Sequence, residues 1–301
     1  MPFTWLNGAF VDESDASISV RDTGLLHAAG VFTTMRSNGG AIIHLPQHLR
    51  RLRDSCEALF IPLQSTDADL TAAANELLQR NSLANARLRL TVTRGLARQD
   101  AVHGAHLQPT TLLTAAELEP YPAEYYERGM TVIVVDEQKL NPYDVQAGHK
   151  TLNYFSRLTA LREANRRAAG EALWFNVHNY LQSGSISNVF LVKAGELLTP
   201  PTPAEMREKA LADAMPFARS AVLPGVTRAA ILEAADSANI AVRLAALTIN
   251  DLLEADEVFI TNSIMGVMPV CRIERRAVGN DKPGPITRQL SQSLSQTPPV
   301  V

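Results

Sequence analysis

The sequence predicts an α+β fold, and three observations lead there. Arg87-Leu88-Arg89-Leu90-Thr91-Val92-Thr93-Arg94 alternates polar and apolar side chains, as a half-buried strand requires. Between Pro46 and Phe60, Leu49, Leu52, Cys56 and Leu59 recur at helical spacing with Arg50, Arg51, Arg53 and Asp54 among them. Strands and helices are separated by long gaps, with no regular βαβ alternation.

In chain order, a second helix is predicted over residues 67–79, carried by Leu70, Ala74, Leu77 and Leu78, and a second strand over residues 110–116. Glu119-Pro120-Tyr121-Pro122 is the best internal boundary, because its two prolines continue neither a helix nor a central strand. Beyond it the chain is β-rich: residues 130–135, 172–177, 189–192 and 257–261 are short apolar runs bounded by Gly, Asn or charge. Helices are expected over residues 153–168 and 227–238, and residues 200–221 read as a polar surface excursion. From Lys282 onward Pro, Ser and Gln dominate, which predicts a loosely ordered tail.

The 301 residues are 46% hydrophobic and 20% charged, enough apolar material to exclude a disordered chain. Twenty-eight Lys and Arg against 31 Asp and Glu leave a net charge of −3, without the cationic footprint of nucleic-acid or anionic-membrane binding. No run approaches the ~18 apolar residues of a membrane span. Met1-Pro2-Phe3-Thr4-Trp5, followed by Asp12 and Glu13, has neither the basic nor the apolar region of a secretory signal. Cys56 and Cys271 are too few for a disulfide framework or a zinc cage. A cytoplasmic enzyme that uses no metal is the expectation.

Several chemical signatures fail on inspection. Gly148-His149-Lys150-Thr151 resembles the end of a phosphate-binding P-loop, but His149 splits the glycine from the lysine, and Tyr143 stands where the earlier glycine belongs. His44 and His48 have i, i+4 spacing with Pro46 between them, and read as surface histidines where a helix begins. Three features remain. Lys150 precedes the largely apolar Leu152-Asn153-Tyr154-Phe155; burial of such an amine lowers its pKa and suits it to imine chemistry, whereas the plainer reading is a solvated helix start. Val222-Leu223-Pro224-Gly225-Val226-Thr227-Arg228 is a loop feeding a helix, with Thr227 as its N-cap and free amides turned toward an anion; the alternative is an ordinary capped helix. Thr261-Asn262-Ser263 offers polar donors after an apolar strand, or is a plain turn. Arg51 could add a forked cation to a phosphate site, or belong to a solvated helix face.

Taken in order, these pieces resemble the class IV aminotransferase family, the fold-type IV pyridoxal-phosphate enzymes. The resemblance runs from about Leu6 to Gly279. It is carried by Asn7-Gly8, Ile18-Ser19-Val20-Arg21-Asp22, Gly30-Val31-Phe32-Thr33-Thr34-Met35-Arg36 and Gln47-His48-Leu49-Arg50-Arg51-Leu52. It continues through His149-Lys150-Thr151-Leu152-Asn153-Tyr154, Ser187-Asn188-Val189-Phe190, Leu198-Thr199-Pro200-Pro201, residues 223–228 and Ala255-Asp256-Glu257-Val258-Phe259. The resemblance implies an N-terminal α/β domain over residues 1–118, a linker over 119–125, a larger β-rich cofactor-binding domain over 126–281 and a polar tail over 282–301. It also implies a homodimer. Carried over by position, Lys150 would hold pyridoxal 5'-phosphate as an imine. Arg51, the amides of Val226 and Thr227, and Ser263 would hold its phosphate; Leu223 would lie against the ring, and Tyr154 near it. Phe32 and His27 match substrate-pocket positions.

One departure bears on the chemistry. Five residues before Asn188 the family has a glutamate that keeps the pyridine nitrogen protonated, and here that cofactor-binding position is Ser183. A charge-assisted bond of about 1.5–3 kcal/mol is thereby replaced by a neutral one of about 0.5–1.5 kcal/mol, so a weakened electron sink is expected. His27, where an aromatic hydroxyl is common, and the long segment 203–221 also depart from the pattern. The first reading is an aminotransferase acting on small or branched amino acids and 2-keto acids. The second is 4-amino-4-deoxychorismate lyase, which residues 32–36 and 262–270, with Pro122, Ala123 and Tyr125, resemble. The third is a cofactor-binding scaffold without turnover, favoured by Ser183 alone.

Overall fold

The computed structural model describes residues 2–96, 108–215 and 218–296. Two compact units divide the chain: Met1–Glu119 with His149–Asn153, and Pro120–Gly148 with Tyr154–Thr297.

The first unit is built on a six-stranded antiparallel sheet of β1 (Phe3–Leu6), β2 (Ala9–Asp12), β3 (Gly30–Asn38), β4 (Ala41–Ile42), β5 (Ala86–Thr93) and β6 (Thr111–Glu117). The spatial order is β2-β1-β6-β5-β3-β4. Asn7 and Gly8 close the first hairpin at φ of +50° and +95°, the left-handed pair that lets a two-residue turn follow the strand twist. β5 keeps the predicted alternation: Leu88, Leu90 and Val92 enter the core, and Arg87 and Arg89 occupy the opposite face. The core partners are Leu49 and Leu52 of α2 (Leu45–Ala58) and Leu70, Ala74, Leu77 and Leu78 of α3 (Asp67–Arg80). α3 begins with a reciprocal cap, in which Thr66 Oγ1 accepts from the Asp69 amide and the Asp69 carboxylate accepts from the Thr66 amide. A short helix, α1 (Thr23–His27), is capped by Asp22, which also accepts hydrogen bonds from the Thr93 and Thr110 hydroxyls.

The second unit carries a mixed nine-stranded sheet. Its strands are β7 (Met130–Val134), β8 (Glu171–Phe175), β9 (Leu181–Gly184), β10 (Asn188–Lys193), β11 (Glu196–Thr199), β12 (Val242–Leu244), β13 (Glu257–Asn262), β14 (Gly266–Ile273) and β15 (Arg276–Ala277). The order is β12-β11-β10-β13-β14-β7-β8-β9, with β15 paired to β14. Its helices are α4 (Ala123–Arg128), α5 (Phe155–Arg166), α6 (Lys209–Ala214), α7 (Val226–Ser237), α8 (Ile249–Leu253) and α9 (Pro285–Gln296). Alternation along β10 and β13 sorts their side chains to two cores. Val189, Leu191, Val258 and Ile260 join Leu173, Leu181 and Met268. Phe190 and Phe259, stacked 4.8 Å apart, face Ile231 of α7 and Leu290 of α9.

The structure corrects two expectations here. The polar tail is not loose: residues 285–296 form α9, with Leu290 fully buried, while residues 297–301 lie outside the described range. The buried Glu257 carboxylate accepts from the amides of Ile286 (3.1 Å) and Thr287 (2.8 Å) and from the Thr287 hydroxyl, holding the first turn. Such a carboxylate serves orphan amides and opposes the positive helix end together. Thr227, read as an N-cap, is instead the second residue of α7, whose cap is Gly225. Leu290→Ala should lower the unfolding free energy by about 2–5 kcal/mol in a denaturant titration, the cost of a cavity in a closed core; a surface-like change of a few tenths would contradict the docking of α9.

Candidate active site

Lys150 lies in extended chain rather than at a helix start. The Phe32 amide donates to the Lys150 carbonyl and the Leu152 amide donates to the Gly30 carbonyl, both at 2.9 Å, so the segment pairs with the first residues of β3. Gly30 is required by space: a Cβ there would come within 2.7 Å of Leu152 Cδ1 and 2.8 Å of the Val92 carbonyl oxygen. The half-buried Lys150 places its Nζ 4.6 Å from the centroid of the Phe32 ring, which Arg89 also approaches to 3.6 Å.

Arg51 belongs to the same unit, and its setting was only partly anticipated. Arg51 Nη2 donates to Thr33 Oγ1 at 2.9 Å, and Thr33 Oγ1 lies 2.8 Å from His48 Nδ1. A guanidinium only donates, so Thr33 Oγ1 accepts from Arg51 and links it to the imidazole of His48. The sequence reading of His48 as a surface residue is therefore wrong: it is 1% exposed and packed behind β3. Pro46 does not break the helix, because it sits in the first turn, where its missing N–H has no intrahelical partner to lose. Burial, followed by the charges of Arg51, His44 and Lys150, holds the His48 pKa well below the ordinary imidazole value. His149 Nδ1 lies 3.0 Å from the Ser55 hydroxyl. Phe32 is buried beside Lys150, whereas His27 ends α1 as an exposed residue.

The second unit holds the remaining predicted residues. α7 begins with an uncapped turn, since Gly225 offers its amides no side-chain acceptor. Gly225 has an ordinary φ of −68°, and the reason for glycine is clearance: a Cβ would lie 1.9 Å from Asn188 Oδ1. Asn188 in turn donates to the Leu223 carbonyl at 2.9 Å, fixing the loop that delivers Val226 and Thr227. Thr261 is the direct cross-strand partner of Asn188, so both side chains share that face of the sheet. Its Oγ1 is buried and has no protein hydrogen-bond partner. The adjoining turn is organised by Asn262, whose Oδ1 accepts from the amides of Ile264 and Met265 and which places Ser263 between strands. Unspent amides at the start of a long helix and an orphaned buried hydroxyl suit an anion such as a phosphate. Arg228, by contrast, is turned away into a buried pair with Glu205, at 2.9 Å through each of two nitrogens. Burial works against the Glu205 charge, but the hydrogen bonds and charge of Arg228 outweigh it and lower its pKa.

Ser183 is buried on β9, directly across from Trp174 of β8. Two residues missed by the sequence reading shape its surroundings. Arg157 Nη1, on α5, donates to the carbonyls of Gly184 (2.9 Å) and Ser185 (3.2 Å) and reaches Ser183 Oγ at 3.3 Å. Glu171 is fully buried and accepts from the amides of Ala172, Ser185 and Ile186 and from the Ser187 hydroxyl. Burial raises its pKa in spite of those donors. Arg157 stands on a helix with Arg162 and Arg166, and so reads in sequence as part of a solvated face. Its guanidinium lies 5.8 Å from the Tyr154 ring centroid and 5.7 Å from that of Trp174.

Comparisons with known proteins identify the family. The family model "Amino-transferase class IV" matches residues 30–273. A protein of Methanocaldococcus jannaschii, provisionally named as a branched-chain-amino-acid aminotransferase, is 34% identical over 96% of this chain and 94% of its own length. The solved branched-chain amino acid aminotransferase of Escherichia coli superposes with a TM-score of 0.86 at 27% identity, covering 97% of this chain and 92% of that one. The 4-amino-4-deoxychorismate lyase of Pseudomonas aeruginosa superposes with a TM-score of 0.80 at 28% identity, covering 97% of each. With a family model spanning most of its length, the chain belongs to the class IV aminotransferase family.

Proposed function

We propose that the chain is a pyridoxal-phosphate-dependent aminotransferase that moves an amino group between a small or branched amino acid and a 2-keto acid. The observation that carries this reading is the placement of Lys150, pinned to β3 through its main chain with its amine over the Phe32 ring. The relatives named for branched-chain amino acids support the substrate class. The residues present fit the cofactor: an amine in extended chain, an oriented arginine, the free first turn of α7 and the orphaned Thr261 hydroxyl.

Lys150 would hold the cofactor, Arg51, the Val226 and Thr227 amides, and Ser263 would bind its phosphate, Leu223 and Tyr154 would lie along its ring, and Ser183 would face its pyridine nitrogen. When bound, pyridoxal phosphate supplies an aldehyde carbon for nitrogen exchange and a conjugated ring that spreads negative charge. Lys150 Nζ takes the proton from the α-carbon of the amino substrate. Its carbonyl accepts from Phe32 and the neighbouring Leu152 amide donates to Gly30, so the side-chain torsions are what carry Nζ between its two tasks. Thr33 and His48 keep Arg51 aimed without adding charge, since His48 is held neutral. Phe32 and His27 are assigned to the substrate side.

A second reading, release of pyruvate from aminodeoxychorismate, is supported by Ser183 and by the likeness to the Pseudomonas lyase; the branched-chain relatives weigh more. We also assign a cytoplasmic homodimer. Exposed Phe155 and Leu158, one turn apart on α5, and exposed Val20, Leu25 and Leu26 in the first unit support burial against a second copy. Cys56 and Cys271, both free, support a reducing compartment. Among the described residues, no helix is long and apolar enough to cross a membrane.

Borohydride reduction of the cofactor-loaded protein, followed by peptide mapping, should place the added mass on Lys150; a label elsewhere would refute the assignment. Lys150→Ala should lower turnover of leucine, isoleucine or valine with 2-oxoglutarate by about a hundred- to ten-thousand-fold, the range for losing a positioned base. Pyruvate formed from aminodeoxychorismate, with no amino transfer, would instead establish the lyase. Thr33→Val should weaken cofactor binding by about tenfold in a fluorescence titration, as the acceptor that orients Arg51 is removed. Light scattering should return twice the monomer mass, and a monomer would remove the dimer.

A further inference from the structure

We propose that Arg157 and Ser183 together keep the pyridine nitrogen of the bound cofactor unprotonated, with Ser183 donating a hydrogen bond to it and Arg157 acting as the positioning residue. The inference rests on the pyridoxal-phosphate reading above and goes beyond it, because it assigns a role to a residue outside the family pattern.

Arg157 Nη1 contacts only neutral oxygens, those of Gly184, Ser185 and Ser183, and among the described residues Arg157 forms no ion pair with a carboxylate. A guanidinium remains charged at any working pH and cannot accept. Ser183 Oγ is therefore an acceptor toward Arg157, and its own proton is directed elsewhere. The Ser183 side chain is 5% exposed, so bulk water does not satisfy that proton. A free-base pyridine nitrogen is a suitable acceptor.

Electrostatics point the same way. A glutamate at position 183 would favour a protonated ring by opposite charge; a serine backed by a guanidinium disfavours it by like charge. The carboxylate in the neighbouring strand does not reverse this balance. Glu171 and Leu173 leave β8 on one face, whereas Trp174 shares the other face with Ser183. Both Glu171 oxygens are taken by the amides of Ala172, Ser185 and Ile186 and by the Ser187 hydroxyl. The other neighbours are neutral: Trp174 Nε1 donates to Ser185 Oγ at 2.9 Å, and Tyr154 presents its ring to Arg157. Loss of the acid and gain of the base thus occur at one point, and the ring would draw electrons less strongly than a pyridinium.

The test uses the full chain loaded with pyridoxal phosphate carrying 15N at the ring nitrogen. In the wild type the 15N resonance should stay at the free-base pyridine position throughout the neutral pH range. Ser183→Glu should move it to the pyridinium position, and Arg157→Met should make it titrate toward pyridinium on mild acidification. A wild-type resonance at the pyridinium position at neutral pH would overturn the proposal, whatever the variants do. Peptide mapping of the same sample separates the two claims. Label on Lys150 with a pyridinium ring removes this inference alone, whereas absence of label on Lys150 removes the cofactor reading and this proposal with it.

Discussion

Two main-chain hydrogen bonds, from Phe32 to Lys150 and from Leu152 to Gly30, are the constraint on which the position of the Lys150 amine depends. They draw the short segment His149–Asn153 onto β3, although the chain before and after it belongs to the other compact unit. A lysine side chain has four rotatable bonds and loses up to about 2 kcal/mol of entropy when ordered. Fixing its backbone on a strand removes the larger uncertainty in where the amine can reach. The same pairing sets Lys150 beside Phe32 and within the electrostatic range of His48.

Each unit manages its buried charges locally. Burial first, then the charges of Arg51, His44 and Lys150, hold the His48 pKa well below the ordinary imidazole value, so it meets Thr33 without setting a second positive charge beside Arg51. Arg228 is paired within the protein by Glu205 and is 3% exposed, so the uncapped start of α7 presents its amides without that charge. A buried ion pair of this kind contributes little net stability, because desolvation offsets most of its attraction. Its geometry instead fixes the first turn of α7 against the segment around Pro200, to whose carbonyl Arg228 also donates.

Much of the fold was legible in the sequence where one physical period dominated. The alternation in β5 and the 3.6-residue stripes in α2 and α3 each define a single buried face, and the structure follows them. α9 was missed because serine and glutamine mask the stripe of Ile286, Leu290 and Leu294, spaced four residues apart and packed in one core. Of the candidate site, Lys150, Arg51 and the start of α7 stand out in the sequence through their order along the chain. The surroundings that give them character were not. His48 and Arg157 are polar residues on helices, and nothing local distinguishes them from solvated ones; their burial is set by strands distant in sequence. Ser183 could be identified as a substitution, but its cationic neighbour is 26 residues away.

The anchoring of α9 by Glu257 has a consequence for chain cleavage. A protease cut in the stretch Lys282-Pro283-Gly284 would detach the helix and strip a buried carboxylate of its three donors at once. Since Glu257 opens the strand that ends at Asn262, damage there would be felt along that strand as far as the turn that Asn262 organises. Nicking there is thus a route to inactivation that touches no reacting group.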